Sequence, residues 1–235
     1  PKAPYTWDTP VPDCLASLTG DISGLRVGVV RERVDTDAVD PEVRDHVVQA
    51  IAVLGEMGAD IQEVSIPLIV HSAAISNTII LTDAAGVHRQ GIDEHLGEYD
   101  HNIQIRLLVG SIIPAQAHQK AVKLRQVLRQ QILDALEKVD VLVMPTSSIP
   151  ASPIPTKAGI GSKQEVLDGL AGRRSFTAPF NVANTPALSI NCGFTSQNLP
   201  VGFQIAGKPF DEGTLFRVAH AYEQATDWHT RRPPI

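Results

Sequence analysis

The chain has 235 residues and a formal net charge of −6, with 43% hydrophobic and 20% charged residues, a composition typical of globular proteins. A chain of this length buries roughly 70 to 75% of its unfolded surface, which is enough for one large core or two smaller ones. The acidic balance argues against a nucleic-acid binder, because phosphate contacts need a concentrated basic face. No uninterrupted apolar run approaches the roughly 18 residues of a membrane span, so we expect no membrane partner.

The cysteines and the first residue bear on where the protein works. Cys14 and Cys192 are the only cysteines, and they lack the spacing of a metal site. We therefore expect a reducing, cytoplasmic compartment. Because the chain opens with Pro1 instead of methionine and no secretory signal precedes it, we also expect it to be cut from a longer protein.

The first part of the sequence predicts a strand, a helix and a second strand. Residues 1–23 are rich in Pro, Asp and Thr and predict an extended lead-in. The β-branched run 25–30 predicts a strand, and residues 61–66 alternate as a second strand. Asp40 and Pro41 predict the start of a helix, because the missing N–H of proline costs little stability at the first helical position. This order favours a parallel pair of strands.

The middle of the sequence, residues 68–136, has mostly helical periodicity. Its last helix, 117–136, places most of its basic side chains opposite an apolar face; they are Lys120, Lys123, Arg125 and Arg129. These side chains could form a binding face or a solvated one, and the acidic total favours the solvated one. The apolar run 139–144 predicts a strand that is buried on both faces. Residues 145–172 predict a long loop, a kind of segment that is often functional.

The last quarter predicts two antiparallel strands and a helix. A loop that contains Pro179 and Pro186 leads into the apolar run 187–192, and a polar turn separates this run from a second one, 201–206. Asp211 is the predicted N-cap of the following helix. Its apolar face comprises Leu215, Val218, Ala219, Tyr222 and Ala225. We predict a single α/β domain over residues 1–235, with a mixed β-sheet flanked by helices.

Four segments of this last quarter carry a family resemblance: FTAPFN (176–181), PALSINCGF (186–194), LPVGFQIAGKPFDE (199–212) and HAYEQATDWH (220–229). They resemble the C-terminal end of the amidase signature family, and a weaker match continues back to about Pro12. The family includes free-standing amidases and the A subunit of glutamyl-tRNA(Gln) amidotransferase. The resemblance implies the C-terminal part of the amidase signature fold, a small-molecule amide substrate and no cofactor.

The catalytic residues of that family have no counterpart in this sequence. The family hydrolyses amides with a lysine, a serine in a cis peptide linkage and a nucleophilic serine, and both serines come from a GGSSGGS-type segment. Glycines of such a segment allow tight turns that present backbone N–H groups to an oxyanion. No such segment occurs here. We therefore assign no catalytic residue, expect all three upstream of Pro1, and expect this chain alone to be inactive.

Other residue types offer weaker candidates. Ser147 and Ser148 could supply a nucleophile, but a turn in which their hydroxyls bond to local backbone is the favoured alternative. Cys192 is expected to be a small buried residue and not a nucleophile. Four histidines could gather around a metal ion, although they lack metal-ligand spacing and are expected to be ordinary surface residues; they are His88, His95, His101 and His118.

The resemblance also implies residues that line the substrate cleft. Pro145 and Thr146 match the MPT element on one side of the cleft. Phe176, Thr177 and Asn181 match the FT…N element opposite it.

Two arginines bear on the choice of substrate. Arg106 matches an arginine that helps to bind glutamine in the amidotransferase A subunit, and a surface salt bridge is the alternative role. Arg174 departs from the family pattern, because the A subunit has an aspartate there that can bind the ammonium group of the substrate. An arginine repels that ammonium. This difference favours a free-standing amidase that acts on a neutral or acidic amide.

Three functional hypotheses remain open from the sequence. The leading one is the non-catalytic wall of an amidase, and the alternatives are a non-catalytic binding module and an amidotransferase A subunit. If part of the domain lies outside this chain, a sheet edge and apolar surface are left uncovered. We therefore expect self-association.

Overall fold

A five-stranded mixed sheet forms the centre of the molecule. The computed structural model describes residues 7–154 and 174–232, and for Arg174 and Ser175 only the backbone. Across the sheet the strand order is β2-β1-β3-β5-β4. The strands are β1 (Arg26–Val30), β2 (Asp60–Val64), β3 (Val141–Pro145), β4 (Ala187–Phe194) and β5 (Pro200–Gly207).

The strand directions confirm both predicted pairings. The first strand pairs in parallel with β2 and with β3, which confirms the predicted strand–helix–strand unit. The last strand, β5, pairs antiparallel with β3 and with β4. Every residue of β3 is buried, as its unbroken apolar sequence predicts.

Eight helices in the described residues surround the sheet. They are α1 (Arg31–Val34), α2 (Pro41–Glu56), α3 (Ser72–Val87), α4 (Arg89–His95), α5 (His101–Ile112), α6 (Ala115–Lys138), α7 (Arg174–Ala183) and α8 (Glu212–Ala225). Short 3₁₀ turns occur at Pro67–His71, Leu96–Glu98 and Trp228–Thr230. Helices α2 and α8 pack on β4 and β5, whereas α3, α6 and α7 pack on one another.

The start of α2 follows the sequence prediction. The Asp40 carboxylate accepts hydrogen bonds from the amides of Glu42 at 2.9 Å and Val43 at 3.3 Å, and Pro41 occupies the first turn. This N-cap satisfies two of the amides that a helix start leaves without partners. The helix then buries a stripe of apolar side chains that comprises Val43, Val47, Ala50 and Leu54.

The segment around Pro179 forms helix α7, so the predicted loop there is wrong. Proline removes one hydrogen bond from the helix, at a cost of about 3 kcal/mol in an interior position. Burial of the Phe176 and Phe180 rings, which are 1% and 2% exposed, contributes about 1.5–3 kcal/mol each and outweighs that cost. The helix ends at Ala183. Asn184 follows with a left-handed φ of 53°, and the Thr185 amide donates to the Phe180 carbonyl at 3.1 Å.

The predicted capping role of Asp211 is also wrong in detail. Its carboxylate accepts a hydrogen bond from the Thr214 hydroxyl at 2.8 Å instead of from a backbone amide. Phe210 before it is left-handed, and Asp211 itself has φ −109° and ψ 46°, which is not the extended geometry of an N-cap. The apolar face of α8 is otherwise as predicted, since Leu215, Val218, Ala219 and Tyr222 are buried and only Ala225 is exposed.

One helical stretch in the described residues has the length and composition of a membrane span. Pro67–Val87 has a mean hydropathy of 1.3 in its most apolar window, of which 28% is buried. The sequence prediction missed it because scattered polar residues interrupt the apolar run. A single such stretch is weak evidence of a span, since core helices have the same composition. Here α3 packs against α5, α6 and α7.

Candidate substrate-binding site

Thr146 is fixed at the end of β3 by contacts with β5 and with β4 beyond it. Its amide donates to the Gly202 carbonyl at 2.9 Å, and its hydroxyl lies 2.6 Å from the Ser189 hydroxyl on β4. Glycine is required at 202, because an added Cβ would lie 2.9 Å from both the Cβ and the Oγ1 of Thr146. A pair of hydrogen-bonding hydroxyls therefore lies at this end of the sheet, next to the buried Pro145.

The backbone of Phe176 is attached to the same region through β5. The side chain of Gln204 is only 4% exposed, and its amide nitrogen donates to the Phe176 carbonyl at 3.0 Å. Gln204 is paired with Met144 in the β3–β5 register, two residues before Thr146. The structure therefore brings the MPT segment and the start of α7 to one end of the sheet.

Thr177 and Asn181 lie on the exposed face of α7. The side-chain amide of Asn181 donates to the Thr177 carbonyl, one turn earlier, at 3.0 Å. Asn181 also borders a cavity of about 140 Å³ between α3, α6 and α7. Both side chains are exposed, whereas the ring of Phe176 is buried in the core.

Two arginines of α6 hold the end of α7. Arg125 donates to the Val182 carbonyl and to the Asn184 side chain, both at 3.0 Å, and Arg129 donates to the Ala183 carbonyl. Cations are favourable at a helix C-terminus, where carbonyls lack partners. Half of the predicted basic face therefore stabilises α7, and the other half, Lys120 and Lys123, is exposed.

Arg106 lies on α5 and is half-buried. It precedes Gly110 by one turn, and an added Cβ at Gly110 would lie 2.0 Å from the Leu81 carbonyl oxygen, so this face of α5 lies against α3. No carboxylate within the described ranges forms an ion pair with Arg106. The alternative role, a surface salt bridge, therefore has no partner there. The side chain of Arg174 lies outside the described residues.

Arg33 is a residue of this region that the sequence analysis missed. It belongs to α1, which follows β1 directly, and only 5% of it is exposed. Its guanidinium lies over the Phe176 ring, with the central carbon 4.6 Å from the ring centroid. Burial lowers the pKa of Arg33 to about 10, although Glu32 opposes that shift. A signal was present, because residues that follow a buried parallel strand lie at the edge of the sheet where sites form.

Ser147 and Ser148 form the predicted turn. The Ser147 hydroxyl donates to the Ile149 carbonyl at 2.7 Å and accepts from the Ile149 amide at 3.3 Å. Ser148 is buried, and its carbonyl accepts from the Asp40 amide at 2.8 Å. These are local structural roles, as expected of serines in turns.

Three of the four candidate histidines have separate partners in the described residues. His88 lies 3.2 Å from the Tyr99 hydroxyl, His95 lies 3.1 Å from the Glu98 carboxylate, and His118 lies 3.7 Å from Asp83. Within residues 7–154 and 174–232, no three His, Cys, Asp or Glu side chains are grouped to hold a metal ion.

Cys192 is 2% exposed, and burial raises the pKa of its thiol to about 12. The thiol therefore stays protonated at neutral pH. This agrees with the predicted role of a small buried residue.

Two further cavities, of about 300 and 210 Å³, border the loop after Thr146. Two carboxylates line the larger one. Asp40 caps α2, and Glu42 accepts from the Ser196 amide at 2.7 Å and the Ser196 hydroxyl at 2.6 Å. The Ser196 hydrogen bonds lower the pKa of Glu42. Both carboxylates thus have structural roles.

The mixed sheet, with the MPT segment and the start of α7 at one end, defines an α/β protein of the amidase type. A family model, Amidase, matches residues 1–216, and the chain belongs to that family. It is 33% identical to the A subunit of the glutamyl-tRNA(Gln) amidotransferase of Halalkalibacterium halodurans over 249 residues, which cover 96% of this chain and 50% of that protein. The corresponding protein of Chloroflexus aggregans is 36% identical, over 96% of this chain and 49% of that protein.

Solved structures give the same result for the fold. The A subunit of the Thermotoga maritima amidotransferase superimposes with a TM-score of 0.74 and 28% identity, over 94% of this chain and 47% of that one. A 6-aminohexanoate cyclic dimer hydrolase, at 24% identity, shares the fold with a TM-score of 0.80, over 100% of this chain and 52% of that one. The chain spans about half the length of the curated relatives it matches.

Proposed function

We propose that this chain is the C-terminal part of an amidase that hydrolyses the C–N bond of a small carboxylic amide. The observation that carries the proposal is that Thr146 and the start of α7 at Phe176 lie at one end of the sheet, in a family member that spans half the length of its relatives. In this proposal the chain forms one wall of the cleft, and the serine, serine and lysine of the mechanism lie outside it.

This wall positions the substrate and does not attack it. Amide hydrolysis needs a nucleophile, a proton acceptor and donors aimed at the developing oxyanion. The paired hydroxyls of Thr146 and Ser189 and the exposed amide of Asn181 can exchange hydrogen bonds with an amide group. Holding that group in a reactive geometry is a large part of catalysis, since orientation lowers the barrier by several kcal/mol.

The two arginines support a neutral or acidic amide as the substrate. Arg106 is half-buried on α5, and a guanidinium can bind a carboxylate through two parallel hydrogen bonds. Arg174 stands where the amidotransferase A subunit has an aspartate, and like charges repel a substrate ammonium. We therefore propose that free glutamine is not the main substrate.

A second candidate is an amidotransferase A subunit that works with partner subunits. The relatives that are 33% and 36% identical are such subunits, which favours this candidate. Arg174 weighs against it. Co-purification with partner subunits, together with efficient hydrolysis of glutamine, would support it over the free-standing amidase.

The isolated chain is expected to hydrolyse no aryl amide, because it lacks the nucleophile. A longer protein that includes the upstream half should hydrolyse small neutral or acidic aryl amides and leave glutamine largely intact. The absorbance of the released aryl amine, recorded in the first turnover and in the steady state, measures the activity of both proteins. Turnover with an acylation burst by the isolated chain would contradict the proposal, and efficient glutaminase activity of the longer protein would overturn the proposed substrate class.

We also propose that the isolated chain associates with itself. Apolar side chains on α3 and α5 are exposed, including Ile80 at 55%, Val87 at 82% and Ile112 at 78%. Strands β2 and β4 also end the described sheet, and unpaired strand edges favour association. Light scattering coupled to gel filtration should show dimers or larger species that bind a hydrophobic dye. A monodisperse monomer at high concentration without dye binding would contradict this proposal.

The cytoplasm remains our proposed compartment. Both cysteines are free, and Cys192 is buried, which is compatible with a reducing environment.

A further inference from the structure

Arg33 is the one charged side chain that is buried in the part of the chain that the structure describes. Removing a guanidinium from water costs several kcal/mol unless its donors find partners. Its contacts are therefore strong constraints on where the neighbouring elements lie.

The contacts of Arg33 join three elements. One terminal nitrogen donates to the Ile69 carbonyl at 2.5 Å and lies 3.2 Å from the Ser72 hydroxyl, at the start of α3. The guanidinium carbon lies 4.6 Å from the centroid of the Phe176 ring, on α7. A cation over an aromatic face is attracted more strongly when both are shielded from water. Helix α1, the start of α3 and α7 thus meet at one side chain.

The helix that presents Arg33 is itself anchored. The Glu32 carboxylate accepts from the Ser65 hydroxyl at 2.5 Å and from the Ile66 amide at 3.1 Å. Partial burial raises the pKa of Glu32, but the hydrogen bonds from Ser65 and Ile66 outweigh it, so the pKa is lowered and the carboxylate is charged at neutral pH. These hydrogen bonds therefore hold in place the short helix that carries Arg33.

We propose that Arg33 is a positioning residue for the amidase reaction. It holds the ring of Phe176, and with it the helix whose exposed residues Thr177 and Asn181 belong to the proposed cleft wall. Gln204 fixes the backbone of the same residue from the sheet. The proposal rests on the proposed function, because it assigns Arg33 a role in shaping the same cleft.

The first test uses this chain and does not depend on activity. Arg33→Met keeps the apolar stem and removes the guanidinium. We expect the amides of residues 177, 178 and 180–183 to exchange with deuterium about tenfold faster in this variant, with no change in α2 or β5, and Arg33→Lys to be intermediate. Arg89→Met is the matched control, because that arginine is 74% exposed, pairs with Asp93 on its own helix and should leave α7 unchanged. Wild-type exchange of α7 in Arg33→Met would overturn the proposal, as would equal acceleration throughout the protein.

The second test uses the longer protein with its upstream half. Displacing a cleft wall by about 1 Å costs about 100-fold in rate, so Arg33→Met should lower kcat/KM for an aryl amide by that order while Arg89→Met does not. If Arg33 acts through the ring, Phe176→Leu should cause a similar loss and the double variant little more. Additive losses would contradict the proposal. An inactive longer wild-type protein would refute the proposed function, and the exchange experiment would then decide the role of Arg33 alone.

Discussion

Replacement of Gly110 by alanine is expected to destabilise the protein by about 3 kcal/mol, because it overpacks the crossing of α3 and α5. The added Cβ would lie 2.0 Å from the Leu81 carbonyl oxygen, 2.7 Å from the Leu81 carbonyl carbon and 3.0 Å from the Ala85 Cβ. Two of these atoms are backbone, so no side-chain rotation relieves the clash. The two helices would have to separate, and Arg106, one turn earlier on the same face of α5, would move with them.

Gly86→Ala on α3 is the matched control for this prediction. Nothing lies within 4 Å of its added Cβ. Because alanine favours a helix interior over glycine by about 0.5–1 kcal/mol, Gly86→Ala should be slightly stabilising. Urea unfolding followed by circular dichroism measures both variants. A neutral Gly110→Ala, or equal changes in the two variants, would show that the close crossing is not a constraint.

The parts of the fold that the sequence predicts are those with strong local patterns. The parallel unit of β1, α2 and β2 follows from an unbroken strand, a capped amphipathic helix and an alternating strand. The position of β3 between β1 and β5 depends on pairings across more than 50 residues, which no local pattern encodes. Helix α7 was missed for a related reason, because burial of two phenylalanines overrides the local signal of Pro179.

The candidate site also has a part that the sequence predicts and a part that only the structure shows. Thr146, Phe176 and Asn181 were placed at the cleft by family resemblance, and the structure shows which neighbours orient them. Ser189 on β4 orients Thr146 and Gln204 on β5 holds the backbone of Phe176, through contacts between residues that are distant in the sequence. Nor does a helical wheel reveal that two of the four basic residues of α6 have carbonyl partners on another helix.

The double variant Arg125→Met/Arg129→Met is expected to lose about 2–4 kcal/mol of unfolding free energy. Methionine keeps most of the apolar stem but removes the donors to the carbonyls of Val182 and Ala183 and to the Asn184 side chain. A hydrogen bond to a charged group contributes about 1.5–3 kcal/mol, and a cation at a helix C-terminus adds up to about 1 kcal/mol. We expect α7 to open before the rest of the protein unfolds, because the carbonyls that lose their partners belong to that helix.

Lys120→Met/Lys123→Met provides the matched control, because it removes the same charge from the same helix at two exposed positions. Exposed substitutions of this kind usually change stability by less than about 0.5 kcal/mol. Chemical unfolding gives the total loss, and deuterium exchange shows whether α7 opens first. If both double variants lose the same free energy, the arginines act through net charge and not through the end of α7. If only the arginine variant is destabilised and α7 loses protection first, the two arginines of α6 support the cleft wall and the two lysines are solvated.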